Sequence, residues 1–179
     1  MVEEKVKSVF TSLFEKVLNE QKCLDSAVGK SVFEKYGSYE ELYRYWLVAP
    51  LFSAGYGNIE YEKIYPGQEP GRGRKASCDI VADDRLWIEL KFCYSDTVYT
   101  DKELLKDPER LNSLKDEGIT RVYCMVCITE NEQMGSKLSQ ANSKITKIVG
   151  KEPEVFSKKI GISDANGQNE HFQLFVWTW

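Results

Sequence analysis

Residues 78–92 read Cys78-Asp-Ile-Val-Ala-Asp-Asp-Arg-Leu-Trp-Ile-Glu-Leu-Lys-Phe92, two apolar segments around a polar turn. This pattern predicts a β-hairpin whose turn spans residues 83–85. Counting outward from that turn places Asp79 directly across from Glu89. Because side chains alternate between the two faces of a strand, Glu89 and Lys91 project to the same side. Two carboxylates and one ammonium therefore converge on one face, where the Cβ atoms of directly opposed residues lie roughly 5 Å apart.

The opposite face of the hairpin is apolar and suited to a protein core; it carries Cys78, Ile80, Ile88, Leu90 and Phe92. Like charges opposed on a sheet are destabilising, so the paired carboxylates indicate a positive group between them. A hard divalent cation such as Mg²⁺ fits, because it takes oxygen ligands and keeps several waters. Lys91 could orient or help deprotonate one of those waters. The alternative interpretation is a surface hairpin with a cross-strand ladder of salt bridges.

Asp79 and Glu89-Leu90-Lys91, with nine residues between Asp79 and Glu89, resemble the motif of the PD-(D/E)XK nuclease superfamily. Cys78 stands where that family usually has a Pro. The resemblance covers about residues 38–129 and extends to a helix at 38–46, a strand at 60–66, a helix at 102–117 and a strand at 121–129. It implies an α/β, restriction-endonuclease-like sandwich in which helices flank a mixed central sheet.

The same resemblance implies a Mg²⁺-dependent nuclease that hydrolyses phosphodiester bonds. Asp79 and Glu89 would bind the metal, for which Mn²⁺ could substitute, and the backbone carbonyl of Leu90 would be a further ligand. Lys91 would position or activate the attacking water. DNA is the expected substrate, and an RNA-directed nuclease is chemically indistinguishable from the sequence. The alternative function is a catalytically inert module of the same fold that binds nucleic acid or a protein partner. Because double-strand cutting by this fold usually needs two active sites, a homodimer is also left open.

Two further acidic residues are candidates for the catalytic set. Ser38-x-x-Glu41 has the spacing of a helix capping box, and relatives often place an acidic residue in this helix that reaches the metal. Glu41 could therefore serve the site or only cap the helix. Glu62 matches the Glu of the family's first strand, and it could equally be a solvated strand residue.

Basic residues before and after the hairpin are candidates for binding nucleic acid. Arg72, Arg74 and Lys75 lie in a Gly- and Pro-rich loop that leads directly into the strand of Asp79, where they could grip phosphates. In similar proteins the helix that follows the hairpin carries basic residues toward the substrate, which makes Lys102 and Arg110 candidates. The alternative in each case is a solvated surface residue.

Composition indicates an ordinary globular chain, with 179 residues, 42% hydrophobic and 29% charged. The net charge of −4 counts against strong non-specific binding to nucleic acid. No apolar run is long enough to cross a membrane, and the first residues lack an apolar signal region. An odd count of five Cys indicates reduced thiols. These features together predict a cytoplasmic protein.

The remaining candidates for metal or catalytic chemistry are weaker. Cys124 and Cys127 lie three apart in an apolar strand, so they point to opposite faces and are expected to be buried. His171 is the only histidine, which counts against a Ser-His-Asp hydrolase and a multi-His metal site. We expect His171 to lie at a strand end or on the surface.

Periodicity predicts the order of elements along a single domain over residues 1–179, with residues 1–37 as an N-terminal helical extension. Helices are expected at 3–20, 24–36, 38–52, 102–117 and 136–149. Strands are expected at 60–65, in the hairpin, and at 121–129, 155–162 and 170–179.

Overall fold

The computed structural model describes residues 2–28, 40–67, 76–94, 101–115, 117–129, 136–163 and 169–179. Several sequence predictions lie outside these residues, namely the helical stretch after Val28, the cap at Ser38 and the basic loop with Arg72, Arg74 and Lys75. The helices are α1 (Val2–Val28), α2 (Glu40–Ser53), α3 (Asp101–Asn112) and α4 (Ser136–Val149). The strands are β1 (Ile59–Ile64), β2 (Ser77–Ala82), β3 (Leu86–Tyr94), β4 (Thr120–Thr129), β5 (Glu154–Ser163) and β6 (Asn169–Thr178).

The six strands form one mixed sheet in the order β1-β2-β3-β4-β6-β5. Strand β3 runs parallel to β4, and every other neighbouring pair is antiparallel. A parallel pair cannot be joined by a tight turn and needs a crossover, and helix α3 lies in the connection between β3 and β4. The general prediction of an α/β chain with a mixed sheet is confirmed.

Two apolar clusters lie on the two faces of this sheet. Helices α1 and α2 pack on one face, where Phe10 and Leu47 meet Ile88 and Leu90 of the central strand. Helices α3 and α4 pack on the other face, against side chains that include Trp87 and Tyr123. The alternating residues of β3 therefore enter two different cores, as expected for a sheet that is covered on both sides.

The predicted hairpin turn is confirmed, because Ala82 pairs with Leu86. Asp83 and Asp84 adopt left-handed backbone conformations, with φ of 52° and 57°, which Asp tolerates better than most residues. The Asp83 carboxylate accepts hydrogen bonds from the backbone N–H groups of Gly57 and Asn58. The turn is thereby tied to the start of β1.

Cys78 departs from the prediction that it shares a face with Ile80. It lies in the other cluster, with Tyr65 and Trp87, and its thiol is 3.2 Å from the carbonyl oxygen of Ile88. Strict alternation ends here because the ladder between β2 and β3 stops at the pair Ile80–Ile88. The residues before Ile80 are therefore not held in register with β3.

Two predicted helix boundaries were wrong. Helix α1 continues without a break to Val28, because the first helix-breaking residue after its apolar face is Gly29. Helix α3 passes through Pro108 and ends at Asn112, well before residue 117. The guanidinium of Arg121 donates hydrogen bonds to the carbonyls of Leu111 and Leu114, which satisfies the end of the helix at this point.

The two isolated predictions about Cys and His had different outcomes. Cys124 and Cys127 are both buried, in opposite clusters, as predicted. His171 lies near the start of β6, as one of the two predicted positions had it, and it is buried, which corrects the alternative of a surface position. It pairs with Thr129 of β4 and Lys159 of β5, so it lies between two strands. Among the described helices, none is long and apolar enough to span a membrane.

Candidate active site

Asp79 and Glu89 meet at the point where the ladder between β2 and β3 ends. The last pair is Ile80 with Ile88, so these two acidic residues come next along their strands. Their exposed fractions are 9% for Asp79 and 3% for Glu89, and burial together with the negative charge of Asp79 raises the pKa of Glu89. The structure therefore buries the two predicted carboxylates close to each other.

Asp79 takes the place of a backbone partner for β3. Its Oδ2 accepts a hydrogen bond of 2.7 Å from the backbone N–H of Leu90. The N–H and C=O of one strand residue point toward the same neighbouring strand, so the Leu90 carbonyl is directed to this side too. The predicted carbonyl ligand thus faces the edge of β3 on which Asp79 lies.

Glu89 carries the most perturbed carboxyl group of the site. Its pKa is raised well above the ordinary value, first by burial and then by the negative charges of Asp79 and Asp107. The Tyr65 hydroxyl donates a hydrogen bond of 2.6 Å to Oε1 of Glu89 and opposes this rise. Burial and two acidic neighbours thus disfavour the ionised form of Glu89.

Asp107 is a third acidic residue of the site, and sequence reasoning missed it. It lies on α3, and its pKa is raised by burial, lowered by Lys91 and Arg110, and raised by Asp79. Arg110 Nη1 lies 3.3 Å from its Oδ1. Lys91 therefore lies within electrostatic reach of Asp107, and Arg110, predicted to contact nucleic acid, pairs here with Asp107.

Arg44 supplies a positive charge in direct contact with Asp79, and sequence reasoning missed it too. From α2, its Nη2 donates a hydrogen bond of 2.5 Å to Oδ1 of Asp79, while its Nη1 lies 3.3 Å from Oε1 of Glu62. The Arg44 side chain is only 14% exposed, whereas that of Glu62 is 61% exposed. Because Arg44 contacts both acids, its guanidinium connects Glu62 to Asp79. The backbone of Glu62 has a positive φ of 52°.

The other predicted site residues lie farther from this contact network or outside the described chain. Glu41 is exposed in the first turn of α2, one turn before Arg44, and Lys102 is exposed at the start of α3. Whether either takes part in binding stays a prediction. The same holds for Arg72, Arg74 and Lys75, which lie outside the described residues.

Asp79 and Glu89 are the acidic side chains that could bind a divalent metal here. Within the described part of the chain, no group of three His, Cys, Asp or Glu side chains is arranged to hold an ion. The chemistry of the adjacent pair nevertheless fits a hard cation, because Asp79 and Glu89 present only oxygen donors and repel each other. Each ionised carboxylate offers about four lone-pair positions, so the bonds from Arg44 and Leu90 leave Asp79 able to bind more.

Three side chains that shape the site could not be found from the motif, namely Arg44, Tyr65 and Asp107. A weak signal existed for each: Arg44 follows the candidate Glu41 by three residues, Tyr65 ends the first strand, and Asp107 precedes Arg110 by three positions on a helix. Comparison of the chain with protein-family models, with curated proteins and with solved structures finds no match. The site is therefore interpreted from its own geometry.

Proposed function

We propose that this protein is a divalent-metal-dependent nuclease that hydrolyses phosphodiester bonds, with DNA as the expected substrate. The observation that carries the proposal is the burial of Asp79 and Glu89 side by side at the end of the β2–β3 ladder, with Lys91 two residues after Glu89 on the same strand. Perturbed carboxyl groups beside a cation are a recurring property of catalytic sites. A structural salt bridge would not need two acids in one buried position.

Asp79, Glu89 and the Leu90 carbonyl would hold the ion, which when bound would polarise the phosphate and acidify a water. Lys91 would orient the attacking water and offset the negative charge that develops on the phosphate. Asp107 would hold Lys91 in place through its charge. Tyr65 would fix the rotamer of Glu89 through the hydrogen bond to Oε1. Arg44, whose planar guanidinium suits paired oxygens, could exchange Asp79 for a phosphate group.

The chain order supports the resemblance as well. A helix, three antiparallel strands, a helix and a strand parallel to the third follow one another from α2 to β4. The PD-(D/E)XK resemblance implies this order, with the catalytic residues on the second and third strands. Asp79 lies on β2, and Glu89 and Lys91 lie on β3.

A second candidate function is a non-cleaving module of the same fold. The specific observation in its favour is the Arg44–Asp79 ion pair, because a protein cation already neutralises the residue that would bind the metal. In that case Arg44 would be a permanent partner of Asp79, and the acidic pair would serve structure or recognition.

Cleavage of supercoiled plasmid with Mg²⁺ or Mn²⁺ tests the proposal. We expect nicking by the wild type that requires metal and is lost in Asp79→Asn and Lys91→Ala. Asp84→Asn is the matched control, because Asp84 is an exposed acid in the turn at the other end of the same hairpin, paired with Lys63. A wild type that cuts neither plasmid nor RNA, although folded, would contradict the nuclease and favour the binding module.

A further inference from the structure

Aromatic side chains lie exposed directly beside Arg44. Tyr45, the next residue of α2, is 71% exposed, and Tyr61 of β1 is 46% exposed. Tyr61 precedes Glu62, the acid that pairs with Arg44. Partial burial and Tyr45 raise the pKa of Tyr61, and Arg44 lowers it, so the three side chains lie within electrostatic reach of one another. We name Tyr45, Trp46 and Tyr61 the aromatic surface.

The aromatic surface continues into a groove along α2. This groove has a volume of about 310 Å³ and is lined by Tyr45, Trp46, Val48, Ala49, Pro50 and Lys16. The Lys16 ammonium lies 5.9 Å from the centre of the Trp46 ring, and Trp46 packs edge-on against the buried Tyr43. The walls are thus almost entirely apolar, and the one cation among the lining residues, Lys16, lies beside the indole ring and is paired with Glu20 at 2.5 Å.

Exposed rings and an apolar groove, with the Lys16 ammonium in the groove and the Arg44 guanidinium near Tyr61, suit a ligand that has planar rings and anionic groups. Unpaired nucleotides have both, whereas the base faces of a duplex are buried in their own stack. The net charge of −4 limits how much phosphate attraction can contribute. Base stacking is then the stronger source of affinity available near the site.

We propose that the aromatic surface stacks unpaired bases while Lys16 and Arg44 contact the neighbouring phosphates, which makes single-stranded nucleic acid the substrate class of this site. The inference rests on the proposed nuclease function. The surface is continuous with the candidate site, because Arg44 contacts Asp79 and lies beside Tyr45 and Tyr61. A strand held on these rings would bring its backbone to the edge where Asp79 and Glu89 meet.

The test is fluorescence anisotropy with a labelled oligothymidylate and with a hairpin duplex, in EDTA so that no strand is cut. We expect the wild type to prefer the single strand, and Tyr45→Ala and Tyr61→Ala each to weaken its binding about tenfold. Tyr45→Phe and Tyr61→Phe keep the ring and should bind within about twofold of the wild type. Tyr56→Ala is the control, because Tyr56 lies outside the aromatic surface, before the start of β1, with the Lys5 ammonium over its ring.

The cleavage assay in Mg²⁺ separates this inference from the nuclease proposal. Ring-dependent binding together with cutting of the single strand supports both. Metal-dependent cutting of duplex with binding that ignores the ring variants overturns this inference and leaves the nuclease standing. Ring-dependent binding without cutting of any substrate overturns the nuclease and the claim that the bound strand is its substrate. Equal binding of all variants to the single strand also overturns the inference.

Discussion

The two sides of strand β3 differ in how they are held. Toward β4, nine consecutive residue pairs connect the strands, from Leu86–Thr120 to Tyr94–Ile128. Toward β2, three pairs connect them and the ladder stops at Ile80–Ile88. Beyond that pair, the Asp79 carboxylate accepts the N–H of Leu90. The candidate site therefore lies where side chains replace the backbone ladder, beside a sheet centre that is completely paired.

The largest expected loss of stability comes from a substitution on the β4 side of β3, where the strands are fully paired. Leu174 of β6 is completely buried and pairs with Val126 and Phe156. We expect Leu174→Ala to lower the free energy of unfolding by about 2–5 kcal/mol, because it removes buried methyl groups and leaves a cavity. Urea denaturation measures this loss. A change below about 1 kcal/mol would mean that the stability of the sheet does not depend on this packing.

On the β2 side of β3, where the ladder stops, the largest expected effect is on cleavage activity. Lys91→Ala should lower metal-dependent cleavage roughly 100- to 1,000-fold, the range for losing one positioned group that stabilises developing charge. Its effect on unfolding should be small beside that of Leu174→Ala, because Lys91 is half-buried and its loss leaves no apolar cavity. Single-turnover cleavage rates, with circular dichroism as the check on folding, measure the two effects separately. Cleavage at the wild-type rate would remove Lys91 from the chemistry.

Arg44→Ala should leave the Asp79 carboxylate without its ion-pair partner. We expect a loss of about 1–3 kcal/mol in the free energy of unfolding, below the range for fully buried pairs because the bridge is partly solvated. Added Mn²⁺ should recover part of this loss in Arg44→Ala if the ion occupies the same carboxylates. Thermal denaturation with and without Mn²⁺ measures the recovery. No recovery would favour the binding module, in which Arg44 is a permanent partner.

Removing the charge of Glu89 should change the free energy of unfolding least of these substitutions. The change should be a gain in stability, where the others are losses. The folded-state pKa of Glu89 is raised above its ordinary value of 4.5, so the unfolded chain releases this proton first as the pH rises. The wild type therefore loses stability relative to Glu89→Gln as the pH rises above about 4.5. Near neutral pH without metal, Glu89→Gln should be more stable by on the order of 1 kcal/mol. Urea midpoints at pH 4 and pH 7.5 measure the difference. A destabilised Glu89→Gln at pH 7.5 would contradict this sign.

The part of the site that could be predicted from sequence is the part fixed by local geometry. A three-residue turn sets the pairing of Ala82 with Leu86, and strand alternation then brings Asp79 to Glu89. Arg44, Tyr65 and Asp107 come from elements that meet the hairpin only after the helices have packed on the sheet. Their positions depend on packing angles that no short sequence pattern contains.

The errors in the fold have the same origin. Alternation was expected to keep Cys78 with Ile80, and it failed where the ladder ends and Asp79 takes over a backbone partner. The polarity of His171 suggested a strand end or the surface; it lies near the start of β6 but is buried, because β6 lies between β4 and β5. Periodicity thus predicts the order of elements well, and it predicts least where polar groups are buried.

Direct titration of the metal-free protein with Mn²⁺ by calorimetry tests the central claim that the Asp79–Glu89 pair is a metal site. We expect binding by the wild type, its loss in Asp79→Asn, and unchanged binding in Asp84→Asn, which removes an exposed carboxylate at the other end of the same hairpin. Absence of binding by the folded wild type, or equal binding by Asp79→Asn, would contradict it.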